Sequence, residues 1–261
     1  DPADRSHYRI AVLKEANGRG GSALMHRIFI KARRVFLSKP INHFPLIEEA
    51  TRTILMGGGI GVTPMIAMGH RLHALGCHFV LHYSVPARAK AAVASELAAL
   101  PWADRVQIHV SDEGTRADFG ALLQAQQPGW HVYTCGPDGY MAAVMAAAEQ
   151  AGFPEDARHL EYFSVPEVPD YVNHPFQVKL ARSGRVLDVP ADRTATDVLA
   201  EAGVPVDVKC SDGLCGVCKC TLIEGDVEHR DFVLSAAQRT RAIILCQSRA
   251  RDPDGMSEID L

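Results

Sequence analysis

Four cysteines carry the clearest chemistry in the sequence: Cys210, Cys215 and Cys218 follow a C-x4-C-x2-C spacing, and Cys246 comes after 27 intervening residues. Three thiolates from a tight loop and a fourth from a distant segment match the plant-type [2Fe–2S] spacing. Gly213 and Gly216 let such a loop curl close to inorganic sulfide, where backbone N–H groups can hydrogen-bond it and tune its potential. Zinc is the competing ligand, but zinc sites usually pair two C-x2-C knuckles and here a single knuckle precedes a lone cysteine. Cys220 reads as a packed strand residue and Cys77 as structural.

A second group of residues suits a dinucleotide. Met56-Gly57-Gly58-Gly59-Ile60-Gly61-Val62-Thr63-Pro64 follows an apolar run and opens a helical pattern, which aims backbone N–H groups and a positive dipole end at a pyrophosphate. Pro64 suits a first helical turn. Val62 stands where the strict G-x-G-x-x-G fingerprint has its last glycine, so by itself the segment is a weak motif, with a tight strand–helix turn as the alternative. Cys135-Gly136-Pro137 sits in a matching place after another apolar run, with a polarizable thiol beside a glycine that could admit a nicotinamide face. A buried structural cysteine at a strand end is the alternative.

The elements that must position these groups follow from periodicity. Strands are expected at residues 53–56, 79–84, 106–110 and 131–134, alternating with helices at 64–75, 87–100, 118–126 and 140–151. That alternation implies a parallel sheet covered on both faces. Residues 8–15 alternate apolar with polar and 34–38 form a short apolar run, so the opening reads as strands flanking a turn at 18–22 and a short helix at 22–26. Pro166, Pro169 and Pro175 mark an interdomain linker. Beyond it come a hairpin of 177–180 with 185–189, a helix at 196–202 and the cysteine loop.

Composition bounds the function. In 261 residues, 47% hydrophobic and 22% charged content is the globular range, and a net charge of −4 without a basic stripe argues against nucleic-acid binding. The apolar runs are too short to span a bilayer and no charged-then-apolar leader opens the sequence, so a cytoplasmic address with no membrane partner is expected. Seven cysteines, an odd number concentrated late in the chain, fit a metal site better than a disulfide framework. No H-E-x-x-H, G-x-S-x-G or Walker A pattern is present.

Gly18-Arg19-Gly20-Gly21-Ser22, then GGGIGVTP with CGP, then C-x4-C-x2-C with its distant cysteine stand in one order that resembles the phthalate dioxygenase reductase family, of the vanillate O-demethylase reductase kind. The resemblance covers nearly the whole chain. It implies a multidomain protein: a partial antiparallel FMN-binding β-barrel at 1–46, an NADH-binding α/β parallel-sheet domain at 47–163, a linker at 164–175 and an α+β plant-type ferredoxin (β-grasp) domain at 176–261. It further implies that Gly20, Gly21 and Ser22 hold the FMN phosphate, that Ala11 and Val12 line the flavin, and that Gly59, Thr63 and Gly136 meet the dinucleotide. Cys135 would lie near the nicotinamide, and Phe163 would pack on the isoalloxazine unless it is a core aromatic. Cys210, Cys215, Cys218 and Cys246 would hold the cluster, and a Rieske-type oxygenase would receive the electrons. The family's Arg-x-Tyr-Ser flavin segment has no counterpart here, so about half of the barrel is expected to precede residue 1. An electron-carrier module without flavin activity is the rival reading, and a zinc-stabilised binding protein a second. Ser84 and Arg88 follow the second strand without an acidic residue for the ribose 2′-OH, which leaves NADH against NADPH open.

Overall fold

The computed structural model describes residues 6–15, 18, 20–29, 34, 36–37, 39–40, 42–165 and 171–261. The chain divides into two compact units, Asp1–Phe163 and Ser164–Leu261.

The first unit carries α1 (Gly21–Phe29) and then alternates β1 (Arg52–Gly58), α2 (Val62–Ala74), β2 (Phe79–Val85), α3 (Ala94–Ala98), β3 (Val106–Val110), α4 (Phe119–Leu123), β4 (Trp130–Cys135), α5 (Asp138–Gln150) and β5 (Arg158–Glu161). The strands form one parallel sheet in the order β3-β2-β1-β4-β5. Its central strand β1 is buried from Thr53 onward, as a strand covered on both faces must be. Leu55 faces a core with Met65, Leu72 and Trp102, while Ile54 and Met56 face a second core with Val132, Val144 and Phe153. Strand order reverses between β1 and β4, and in doubly wound sheets a ligand crevice opens outside the carboxyl ends at that switch point.

Three expectations are corrected. Residues 6–15 form no strand: Tyr8, Ile10 and Leu13 are 75%, 64% and 52% exposed, and no strand among the described residues pairs with the segment, so its backbone has no ladder to join. Residues 34, 36 and 37 are not strand either, and the remainder of that apolar run lies outside the described residues. The partial barrel is therefore not formed among the described residues. The Ala-rich stretch 87–100 is broken into a 3-10 turn, Arg88–Lys90, and α3, because Ala91 leaves the helical region (φ −82°, ψ 62°) and buries its methyl in the core. The core also reaches back past residue 47, since Phe44 and Leu46 pack into it and the Ile47 N–H donates to Tyr133 Oη at 2.8 Å.

The second unit contains β6 (Phe176–Leu180), β7 (Val186–Val189), α6 (Ala195–Glu201), β8 (Lys219–Glu224), β9 (Val227–Glu228), α7 (Ala236–Arg239), β10 (Ala242–Ile244), β11 (Arg249–Ala250) and β12 (Met256–Ile259). A mixed sheet runs β10-β8-β12-β6-β7, with β12 parallel to β6, and β9 pairs with β11. Alternate residues Phe176, Val178 and Leu180 point into the core with Leu199, Leu222 and Ile259. Helix α6 starts where it does because Thr194 and Asp197 form a capping box. Tyr171 to Pro175, expected as linker, belongs structurally to this unit. Arg230 donates to Asn173 Oδ1 at 2.6 Å and Val172 O at 3.2 Å, and Arg249 donates to His174 O at 2.7 Å.

Candidate functional site

At the switch point the chain is arranged around glycines. Gly57 of β1 lies in register with Cys135 of β4, and a Cβ on Gly61 would stand 2.2 Å from the Cys135 carbonyl oxygen. A Cβ on Gly136 would stand 2.9 Å from Gly58 Cα, and one on Gly58 would stand 2.9 Å from the Tyr140 ring. These three glycines let the β1–α2 turn and the β4–α5 turn approach to backbone contact. Gly59 differs: among the described residues nothing beyond its chain neighbours lies within 4 Å of its Cβ position, and its φ of +55° suits a residue without a Cβ. Thr63 Oγ1 donates to Ile60 O at 2.9 Å, which ties the turn and leaves the hydroxyl's lone pairs for a ligand.

A cleft of about 270 Å³ opens beside these turns, lined among others by Gly58, Gly59, Ser84, Arg116, Phe119 and Tyr140. It lies at the carboxyl ends of β1 and β2, where a dinucleotide sits in such sheets. Burial pushes the Tyr140 hydroxyl up to about 12, a rise tempered by the neighbouring Ser84 hydroxyl. Neither hydroxyl makes a hydrogen bond of full geometry with another described residue, so both remain available to a bound ligand. Arg88, singled out in the sequence, is bound to Glu113 through Nε–Oε1 at 3.0 Å and a second, shorter contact. Arg116 was not legible as a cleft residue, because only the sheet order brings the segment after β3 beside Ser84.

Cys135 is fully buried, and burial followed by the Glu161 carboxylate pushes its thiol up to about 12. It is a neutral S–H at the edge of the switch point. Glu161 pairs with Cys135 in register, so Phe163, two residues farther on and 52% exposed, follows the same carboxyl edge.

Among the residues expected to hold FMN, Ser22 Oγ accepts from the Glu15 N–H at 3.1 Å, and His26 Nε2 donates to Val12 O at 2.8 Å. Those bonds bring the Ala11 and Val12 segment alongside α1. Gly20, with φ +90°, precedes the helix, and among the described residues no atom beyond the chain neighbours lies within 4 Å of a Cβ on Gly20 or Gly21. A helix start left open by the described residues fits a phosphate.

In the second unit the loop of residues 210–218 turns through left-handed backbone at Ser211, Gly213 and Gly216 (φ 58°, 73° and 63°). Gln247 Nε2 donates to Ser211 O at 2.7 Å, which pins the loop against the segment carrying Cys246, and Phe232 N donates to Gly213 O at 3.2 Å, which ties it to the segment before α7. The thiols form two pairs. The Cys246 thiol hydrogen-bonds Cys218 and pulls it down to about 6, while Cys246 is itself pushed up by the same contact. For Cys210, burial raises the thiol, but the Asp212 N–H at 3.4 Å, the Cys215 thiol and further N–H donors outweigh it and the net shift is downward. No three of the described His, Cys, Asp or Glu side chains are grouped as a single-ion site. Two thiol pairs under converging N–H donors suit two sulfide-bridged irons better than one zinc. Cys220 is turned to Asp260 O at 3.9 Å and Cys77 to Glu48 O at 3.7 Å, away from this set.

A family model described as "2Fe-2S iron-sulfur cluster binding domain" matches residues 178–251. The reductase subunit of tert-butanol monooxygenase / tert-amyl alcohol desaturase from Aquincola tertiaricarbonis is 43% identical over 265 residues, covering 96% of this chain and 78% of that protein. The crystal structure of an intact type IV self-sufficient cytochrome P450 monooxygenase matches with a TM-score of 0.85 and 33% identity over 100% of this chain and 34% of its own. Phthalate dioxygenase reductase, described as a modular structure for electron transfer from pyridine nucleotides to [2Fe–2S], matches with a TM-score of 0.58 and 35% identity, covering 96% of this chain and 78% of its own. The likeness extends through both units instead of stopping at the cysteine loop, and the chain therefore belongs to the phthalate dioxygenase reductase family, oxidoreductases that pass electrons through FMN and a [2Fe–2S] cluster to an oxygenase.

Proposed function

We propose that this reductase takes its electrons from NADH and delivers them one at a time to a Rieske-type oxygenase in the cytoplasm. When bound, FMN accepts two electrons as hydride and the cluster passes single electrons, which is the conversion such a partner needs. The chain's own residues orient the donor. Gly59 and Thr63 meet the pyrophosphate at the start of α2, and Gly136 admits the nicotinamide face. Cys135 stands against that face as a neutral thiol that excludes water without competing for hydride.

Gly20, Gly21 and Ser22 hold the FMN phosphate, with Ala11, Val12 and Phe163 against the ring system. The cluster sits on Cys210, Cys215, Cys218 and Cys246. The observation that supports the reading is the backbone contact between the β1–α2 turn and the Cys135 turn at the switch point of the sheet, the place where a dinucleotide binds in such folds. The cytoplasmic address is supported by seven cysteines, none of them in a disulfide. Among the described residues no helix is long and apolar enough to cross a membrane. Residues 177–261 hold 14 Asp and Glu against 11 Lys and Arg, a balance that favours a basic partner surface over nucleic acid.

The test is electron stoichiometry with a purified Rieske oxygenase under anaerobic conditions. Each NADH oxidised should reduce two Rieske centres, followed by the loss of their visible absorption. Oxidation of NADH that leaves the Rieske centre oxidised would reject this partner class.

A further inference from the structure

Between β9 and α7 the second unit buries a carboxylate that lies outside the set of cysteines. The Asp231 side chain is fully enclosed, with 0% of it exposed. Its Oδ1 accepts from the Val233 N–H at 3.1 Å and the Leu234 N–H at 2.8 Å, which folds residues 231–234 into a turn closed by the side chain. Its Oδ2 faces His229 Nδ1 at 3.7 Å, and neither of those buried atoms makes a hydrogen bond with the described residues. Arg239 Nη2 donates to the Asp231 backbone oxygen at 3.0 Å and so leaves the carboxylate to the turn. Arg230, the cation next to it in sequence, is turned to Glu228 and Asn173.

That turn is packed against the cysteine loop. A Cβ on Gly213 would stand 3.2 Å from Asp231 Cα and 3.3 Å from Arg230 O, and the Gly213 φ of +73° likewise suits a residue without one. The turn donates back across this contact, from Phe232 N to Gly213 O at 3.2 Å. Gly213 in turn acts on Cys246. The Cys218 contact and burial push the Cys246 thiol up, and the Gly213 backbone N–H favours its thiolate against them. A path of adjoining polar groups therefore runs from the Asp231 carboxylate through the turn and Gly213 to the Cys246 sulfur. An N–H donor at a ligand sulfur stabilises the more negative, reduced cluster and raises its potential.

We infer that Asp231 is a positioning residue for electron acceptance: by shaping the 231–234 turn it holds Gly213 with its N–H toward Cys246, and so sets the potential at which the cluster takes an electron. The inference rests on the reading of Cys246 as a cluster ligand. The charge of the buried carboxylate acts in the opposite sense, since a negative group near the loop opposes the arrival of an electron. The two effects are separable because the turn needs an acceptor oxygen and not a charge.

The test is the midpoint potential of the cluster in the whole protein, followed by electron paramagnetic resonance during a dye-mediated titration. Asp231→Ala removes the acceptor. Its potential should fall by on the order of tenfold in the reduction equilibrium, about 59 mV for one electron, as expected for one hydrogen bond to a charged group. Asp231→Ser, with an acceptor of shorter reach, should move the potential the same way by less. Asp231→Asn keeps Oδ1 for both N–H groups and removes the charge, so its potential should stand at or above the wild-type value. A urea midpoint that drops in Asp231→Ala while the potential stays put would make the residue structural only. A potential that rises in Asp231→Ala would make the charge the controlling effect, and an Asp231→Asn potential below the wild type would show that the acceptor is not what matters; each of these outcomes overturns the positioning role. The ligand reading is tested apart: Cys246→Ala should lose the iron–sulfur absorption, and a variant that keeps the wild-type spectrum would remove Cys246 from the cluster and the inference with it.

Discussion

At the scale of single residues, the site depends on groups whose environments fix their state. A thiol in water ionises near pH 8.5, but burial and Glu161 hold Cys135 up at about 12. The rate of hydride transfer from NADH should therefore be flat between about pH 6 and 9 as far as this residue is concerned, measured by stopped-flow absorbance. An inflection near the ordinary thiol value, absent in Cys135→Ala, would mean that the thiolate takes part. Gly61→Ala would place a Cβ 2.2 Å from the Cys135 carbonyl oxygen, a backbone clash with no flexible group to give way. A loss of about 3 kcal/mol or more in urea unfolding is expected, together with weakened dinucleotide binding; stability unchanged by the substitution would refute the close approach of the two turns. The four cysteines proposed as cluster ligands stand out in the sequence because their spacing is mostly local and thiolate chemistry is specific. Arg116 does not, since its place beside Ser84 is a product of sheet order, and Arg88 looked available because its partner Glu113 lies 25 residues away.

At the scale of elements, β1, β2, β3 and β4 were legible as apolar runs bounded by turns, and α5 as the helix that follows the Cys135 turn. The broken helix at 87–100 was not, because alanine's high helix propensity there yields to the burial of Ala91. The expected strand at 8–15 shows the converse. Its alternation is real, but a strand is defined by a partner, and Tyr8 and Ile10 remain exposed. Strand β2 also carries a pH dependence. Burial, followed by His109 and Arg52, lowers His82 to about 4, whereas an unfolded histidine titrates near 6.5. Between these values the unfolded chain binds the proton and the folded chain does not. Stability should then be full above about pH 6.5 and fall as the pH drops toward 4, by up to about 3 kcal/mol. Urea midpoints measured across that window should fall less steeply for His82→Gln; identical profiles would show that His82 is not the group responsible.

At the scale of the whole molecule, the sequence already set out three kinds of segment in one order, and the structure resolves them into two compact units with a boundary between Phe163 and Ser164. The far end of the proline-bearing stretch is no free tether, for Arg230 and Arg249 hold Val172, Asn173 and His174 to the second unit. That attachment was invisible in the sequence because both arginines lie more than 50 residues beyond the segment they hold. The central claim is that one chain takes electrons from a nicotinamide nucleotide and holds them on flavin and iron. The most direct test is the visible absorption spectrum of the purified protein before and after anaerobic addition of NADH. Flavin and iron–sulfur bands that bleach together are predicted. An iron–sulfur spectrum without flavin, unmoved by NADH, would contradict the claim and leave the chain an electron carrier alone.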